Sequence, residues 1–281
     1  MLLFFDSRLT NNLPAILSFT AMRFYRFPLL AAVALLASCT VYAPMQPTVS
    51  TITQVGQLEL TGSAQLSGRA EGTAVYSPLP HVLLAGSGTY RPNLGGTTYF
   101  ATRQWEAGAG TYWMLGTHWL LTGEGGYGYA RSERVWRELL GTSPELRAQY
   151  SKVFGQVGLG YLHKQKWSGG AIYRFSQLHF DELSYYTPYY QGAMNNTNMG
   201  RHEVLLYGRH ELHIGRASRW QLQGSVGIST SNNQARQPNT DAYAGEINRT
   251  RQPVLLVSGG LVFRPAWGRA SRAPIEQLVP R

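Results

Sequence analysis

The 281 residues include 31 Gly, 17 Tyr, 10 Phe, 7 Trp and a single Cys, with 14% charged and a formal net charge of +10. Average usage is about 25% charged, so this chain carries roughly half the usual charge and a surplus of Gly and aromatics. That combination argues against disorder and suits sheets with close backbone approach. One Cys excludes an intramolecular disulfide and any multi-thiolate zinc or iron–sulfur centre, and no cofactor is expected.

Residues 1–21, with Asp6 and Arg8, read as an upstream extension ahead of a translation start at Met22. Residues 22–38 then follow the order of a secretory signal: Arg23 and Arg26, an apolar stretch from Phe27 to Ala37, and the small pair Ala37-Ser38. No run reaches the roughly 18 apolar residues of a spanning helix. The segment Leu36-Ala37-Ser38-Cys39 resembles a bacterial lipobox. That resemblance implies cleavage before Cys39 and acylation of its sulfur and its new amine. A thioether to lipid would also remove the oxidation hazard of a free exported thiol. Acyl chains contribute about 0.8 kcal/mol per buried CH₂, enough in a multiply acylated Cys39 to hold even a soluble domain at a membrane. Thr40 follows in place of an acidic residue, so the resemblance implies neither inner-membrane retention nor an acidic surface-export tag.

Without residues 1–38 the chain has 22 basic and 14 acidic side chains in 243 residues, a balance of +8. The basic residues are scattered and form no stripe, and no nucleic-acid partner is expected. Anionic lipid headgroups or surface glycans are the better match for the surplus.

Residues 39–56 read as a lipidated tether, because Pro44, Pro47 and the Thr/Ser-rich run show no periodicity. From residue 57 the period becomes two. Leu58, Leu60, Gly62, Ala64 and Leu66 alternate with Gln57, Glu59, Thr61, Ser63 and Gln65, one face apolar and the other polar. At 219–231 the split recurs, with Trp220, Leu222, Val226 and Ile228 against Arg219, Gln221, Gln223, Ser225 and Ser229. Weaker copies occupy 69–77, 81–90, 99–114, 118–130, 150–164, 167–180, 201–215 and 252–263. Most of these ten segments reach the 9–11 residues that a tilted strand needs to cross hydrocarbon.

Connections alternate in length. Short ones include Pro78-Leu79-Pro80, Leu115-Gly116-Thr117, Gln165-Lys166 and Arg216-Ala217-Ser218. On the other side three long ones cover 131–149, 181–200 and 232–251. An all-β, antiparallel up-and-down transmembrane β-barrel of about ten strands over 57–264, followed by a tail at 265–281, fits this pattern. Closure is expected because an unpaired sheet edge in hydrocarbon costs several kcal/mol per group. An even strand count puts both ends of the barrel on the short-turn side, where an anchor on Cys39 would reach the inner leaflet of an outer membrane.

The aromatic girdle expected at the membrane interfaces comprises Trp105, Trp113, Trp119, Tyr127, Tyr129, Trp167, Tyr173, Trp220 and Phe263. Glu59, Glu71, Glu106, Glu124, Lys152, Arg174, Arg209 and Glu211 fall on the opposite faces. They form an expected polar network that fills the lumen instead of leaving it open.

Several runs carry a further resemblance: Tyr42-Ala43-Pro44, Gly56-Gln57-Leu58-Glu59, Ala74-Val75-Tyr76-Ser77-Pro78, Glu106 to Tyr112, Gly125-Gly126-Tyr127-Gly128 and Gln156 to Tyr161. Over most of residues 39–264 the chain is similar to small lipoproteins of outer-membrane β-barrel character from Bacteroidota. These are Gly/aromatic barrel repeats, and the resemblance implies architecture without implying an activity. Pro265 to Arg281 departs from barrels that stop at an aromatic-ended strand, which bears on recognition by the assembly machinery.

Catalytic candidates are weak. His179 and Asp181 would share a strand face beside Glu182, and a His–carboxylate pair can orient a water. The second acidic pair of an omptin-like surface protease is missing, so no enzymatic chemistry is expected. His210 and His213, three apart, fall on opposite strand faces and make a poor metal pair. Gly123 to Gly128 lacks the lysine and hydroxyl of a phosphate loop. Glu133 to Leu140 could form a short helix in the loop 131–149.

The expected partners are outer-membrane lipids, the lipoprotein-processing and barrel-assembly machineries, and a surface ligand held by the three long loops. The expected role is structural or surface interaction. Two alternatives stay open: a periplasmic, lipid-tethered soluble barrel with its apolar faces turned inward around a small hydrophobic ligand, and a narrow transport barrel.

Overall fold

The computed structural model describes residues 41–93, 98–135, 144–163, 166–187, 190–193, 198–212, 220–232 and 250–265. The signal peptide, Cys39, His213, most of the loop 232–251 and nearly all of the tail lie outside the described residues.

Eleven strands follow in chain order: β1 Leu58–Gln65, β2 Ala70–Tyr76, β3 Val82–Arg91, β4 Tyr99–Leu115, β5 Trp119–Val135, β6 Glu145–His163, β7 Trp167–Thr187, β8 Tyr190–Ala193, β9 Asn198–Leu212, β10 Trp220–Ser231 and β11 Val254–Phe263. Each pairs antiparallel with its neighbour in sequence, except that β8 is a short arm on the end of β7 and β9 pairs with β7 across it. The seam between β1 and β11 runs from Leu60 opposite Phe263 to Gln65 opposite Ser258. The result is a closed ten-stranded antiparallel barrel with β8 as an appendage.

Period-two alternation sorts the side chains. Leu60, Leu84, Val153, Val157, Leu206, Leu222, Val226, Ile228 and Leu261 point outward and stay exposed, Val153 at 61%. Glu59, Glu106, Lys152, Arg174, Glu203 and Arg209 point inward and are buried. The barrel therefore wears its apolar face outside, the reverse of a soluble ligand-binding barrel. Tight turns close one rim. In the turn between Leu115 and Trp119, Gly116 takes φ 67°, a left-handed conformation that costs glycine little.

Three expectations need correction. The long connections are shorter than expected, because Arg131–Val135 continue β5, Glu145–Gln149 open β6, and Asp181–Thr187 and Asn198–Gly200 belong to β7 and β9. Glu133 to Val135 are therefore strand and not the start of a helix. Alternation at 180–183 fails in the sequence because of a bulge: Gln149 pairs with Glu182 and Tyr150 with Phe180, leaving Asp181 as the extra residue. A bulge exchanges the faces of the strand. Phe180 points inward before it, and Leu183 and Tyr185 point inward after it.

The third correction concerns the tether. Residues 41–52 are not a tether outside the barrel but run extended through it, all twelve buried. At one end Val41 and Tyr42 pack with Leu146, Ala148, Tyr150, Leu178, Phe180, Leu183 and Met199, where β6 begins and β7 and β9 meet the long-loop rim. Midway, Val49 packs on Ile172, Leu205, Tyr207 and Leu256. Ile52 packs on Val75, Leu83, Tyr112 and Leu120 at the short-turn end. The chain thus enters the described structure at the long-loop mouth, crosses the lumen, and turns back into β1 at Gly56, whose N–H donates to Ser77 O at 2.7 Å.

Candidate functional site

The lumen is the site, and alternation builds it. In β6 and β7 every second residue from Lys152 to Gln156 and from Ser168 to Ser176 faces inward, which brings Arg174 against Glu106 of β4 at 2.9 Å. Lys152 pairs with the other oxygen of the same carboxylate. Arg174 also donates through Nε and Nη2 to Gln156 Oε1 at 2.9 and 2.7 Å, and its guanidinium lies 4.3 Å from the centre of the Phe154 ring. Gln156 in turn donates to Glu124 at 3.1 Å. Gly128 makes room for this cluster. A Cβ there would come within 2.8 Å of Glu106 Cγ and 3.2 Å of Lys152 Cε.

Toward the short-turn mouth, Glu59 receives Arg209 Nη1 at 3.2 Å and also pairs with Arg264, just beyond β11. Arg209 donates to Gln223 Oε1 at 2.7 Å. Toward the long-loop mouth, Arg201 is fully buried, donates to Ser229 Oγ at 2.9 Å and Ser229 O at 2.7 Å, and sits 4.6 Å from the Tyr42 ring centre. Glu203 accepts the Tyr42 hydroxyl at 3.1 Å. Charges buried this deeply persist only when paired and hydrogen-bonded.

The threaded segment completes the network through its main chain. Carbonyls of Ala43, Pro44, Thr48 and Val49 accept from Gln104 (2.7 Å), Arg69 (3.0 Å), Gln156 (3.0 Å) and Arg209 (2.9 Å). The N–H of Gln46 donates to Glu71 at 3.2 Å, and that of Thr51 to Glu59, also at 3.2 Å. Side chains add to this: Thr48 Oγ1 donates to Glu124 at 3.4 Å, Thr51 Oγ1 donates to Glu59 at 2.9 Å, and Gln46 Oε1 accepts from Ser258 Oγ at 3.0 Å.

Of the residues expected to form the lumen network, Glu59, Glu71, Glu106, Lys152, Arg174 and Arg209 are buried inside it, and Glu124 is partly buried there. Glu211 shares the inward face of β9 with Arg209 but is half-buried at the short-turn rim, one residue from the strand's end. Arg69, Arg201 and Glu203 are lumen residues that the sequence analysis missed. For Arg201 and Glu203 the signal was present, since they share the odd-numbered face of β9 with Arg209.

The expected girdle residues divide between the two ends of the wall. Trp113, Trp119, Trp167, Trp220 and Phe263 stand at the short-turn ends of their strands, where Trp119 and Trp167 flank Tyr161 at centroid distances of 5.2 and 5.6 Å and Trp220 meets Phe263 at 4.7 Å. Nearer the other rim, Trp105 meets Tyr127 at 6.0 Å and pairs across the sheet with Tyr129. Tyr173 lies six residues into β7 and contacts His202.

The catalytic candidates do not assemble. His179 Nδ1 contacts Asn198 Oδ1 at 3.1 Å, and Asp181 sits exposed in the bulge. His210 contacts the Lys166 carbonyl at 3.1 Å. Gly123–Gly128 lie in the body of β5. Among the described residues no group of three His, Cys, Asp or Glu is placed to hold a metal ion.

No protein-family model matches the chain, and no curated protein matches its sequence. Among solved structures it is similar to the outer membrane protease OmpT from Escherichia coli, at 8% identity and a TM-score of 0.45 over 74% of this chain and 93% of that one. It is similar to the translocator domain of the autotransporter NalP from Neisseria meningitidis, at 11% identity and a TM-score of 0.42 over 88% and 97%. The N-terminal β-barrel domain of OprF from Pseudomonas aeruginosa gives 10% identity and a TM-score of 0.30 over 74% and 95%. The barrel itself rests on the strand pairing given above, and no activity is carried over from these likenesses.

Proposed function

We propose that this protein is an outer-membrane β-barrel lipoprotein with a structural or surface-interaction role, acting through the loops of its long-loop rim and not through catalysis. The observation that carries this reading is the outer wall. Apolar side chains cover it from strand to strand, with Trp and Tyr toward both ends, as a bilayer requires. The inward-facing charge and the threaded segment speak against a soluble barrel around a hydrophobic ligand and against an open pore. Tryptophan fluorescence of the vesicle-reconstituted protein should be quenched by brominated lipid, through Trp105, Trp113, Trp119, Trp167 and Trp220. Monodisperse behaviour in plain buffer without any amphiphile would overturn the membrane reading.

The lipid anchor belongs to the same proposal, with its side reversed. Cys39 lies outside the described residues, but Val41 is fixed at the long-loop mouth, and two residues span at most ~7 Å. On this reading an acyl anchor belongs on the long-loop side of the membrane. A tag inserted between Cys39 and Thr40 should bind antibody on intact cells, as should a tag in the loop 232–251. If the N-terminal tag is reachable only after permeabilisation, that placement is wrong. Cys39→Ser should abolish acylation and leave the barrel in the membrane fraction, whereas release into the soluble fraction would favour a tethered soluble barrel.

A further inference from the structure

The wall of the lumen treats residues 41–52 in an unusual way. An extended chain outside a sheet has no strand partner, and its buried amides and carbonyls must find partners elsewhere. Here the wall supplies them in order along the barrel. From the long-loop mouth inward, Gln104 and Arg69 donate to the carbonyls of Ala43 and Pro44, and Glu71 takes the N–H of Gln46. Gln156 and Arg209 then donate to the carbonyls of Thr48 and Val49, and Glu59 takes the N–H of Thr51. Pro44 and Pro47 lack an N–H and occupy places where none is received. Most of these wall groups are charged, and such hydrogen bonds are the stronger kind. The passenger itself carries no charge between Val41 and Val55.

We propose that the lumen is a binding track for an extended, uncharged polypeptide, recognised mainly through its main chain, and that residues 41–52 are its resident and exchangeable occupant. This inference rests on the closed membrane barrel proposed above and adds a ligand class to it. The track fixes direction as well as composition, because from the long-loop mouth the wall presents two donors and then an acceptor, twice over, an order that reads differently from the other end. At Val49 and Ile52 it tolerates varied apolar side chains, since their contacts are broad patches of Ile, Leu, Val and Tyr.

The test uses the full chain. A protease site placed at Val55-Gly56, at the short-turn mouth where both residues are exposed, is cut after the barrel has been assembled in vesicles, so folding is complete before the segment is freed. Isotope-labelled synthetic peptide of residues 41–54 is then added in excess, and its uptake into the floated barrel is followed by mass spectrometry. The labelled peptide should replace the resident. The same peptide N-methylated at Gln46 and Thr51 should bind at least tenfold more weakly, whereas one carrying Thr48→Val and Ile52→Val should stay within about threefold of the parent. Equal binding of the N-methylated peptide, or no uptake of the parent at millimolar concentration, overturns the track. A cut barrel that no longer floats with the vesicles would instead refute the membrane reading.

Discussion

Glu106→Ala should destabilise the barrel by about 3–5 kcal/mol, the range seen when one partner of a buried ion pair is removed. Arg174 is completely buried and Lys152 nearly so, and both direct their charge at this one carboxylate. Truncating it leaves two cations in a closed interior with Gln156 as the remaining acceptor for Arg174. Urea unfolding of vesicle-embedded protein, followed by tryptophan fluorescence, measures the loss. The paired change Glu106→Gln with Lys152→Met should recover a substantial part of it, because one uncompensated charge leaves with its partner. A loss below about 1 kcal/mol for Glu106→Ala would show that water reaches the cluster and screens it.

Leu206→Arg should cost about 2–4 kcal/mol in a bilayer, the depth-dependent cost of a cation near the midplane of a transmembrane barrel. Leu206 sits mid-strand in β9, 55% exposed, between Ala171 of β7 and Val226 of β10. An exposed leucine on a wall facing water would tolerate the same change within about 0.5 kcal/mol. His210→Arg, four residues nearer the short-turn rim on the same outward face, should cost about 0–1 kcal/mol. The same unfolding experiment on the two variants reads out depth, and equal small effects would place this wall in water.

The barrel was legible in the sequence because its signal is local. At Leu58–Leu66 and Trp220–Ile228 each strand declares its two faces without help from its neighbours. The contrast between short and long connections survives errors of a few residues at each boundary. The threaded segment was hidden for the opposite reason. A chain whose hydrogen-bond partners all lie in distant strands has no period of its own, and Pro44, Pro47 and the Thr/Ser run look the same in a linker as in a passenger. The bulge at Asp181 concealed the last third of β7 by reversing its alternation at the point where Asp181 and Glu182 suggested a loop. Arg201 and Glu203 were legible by the same rule as Arg209, since all three lie on the odd-numbered, inward face of β9.

The seam and the passenger share a fastening. Glu59 belongs to β1 and Arg264 follows β11, and the two groups that meet as the last strand docks on the first also grip Thr51. Docking of the last strand on the first therefore also completes the grip on the leading stretch, so closing the hoop and seating the lace stabilise one another. The barrel is wrapped around its own beginning, and the final latch reports that the lace is in place.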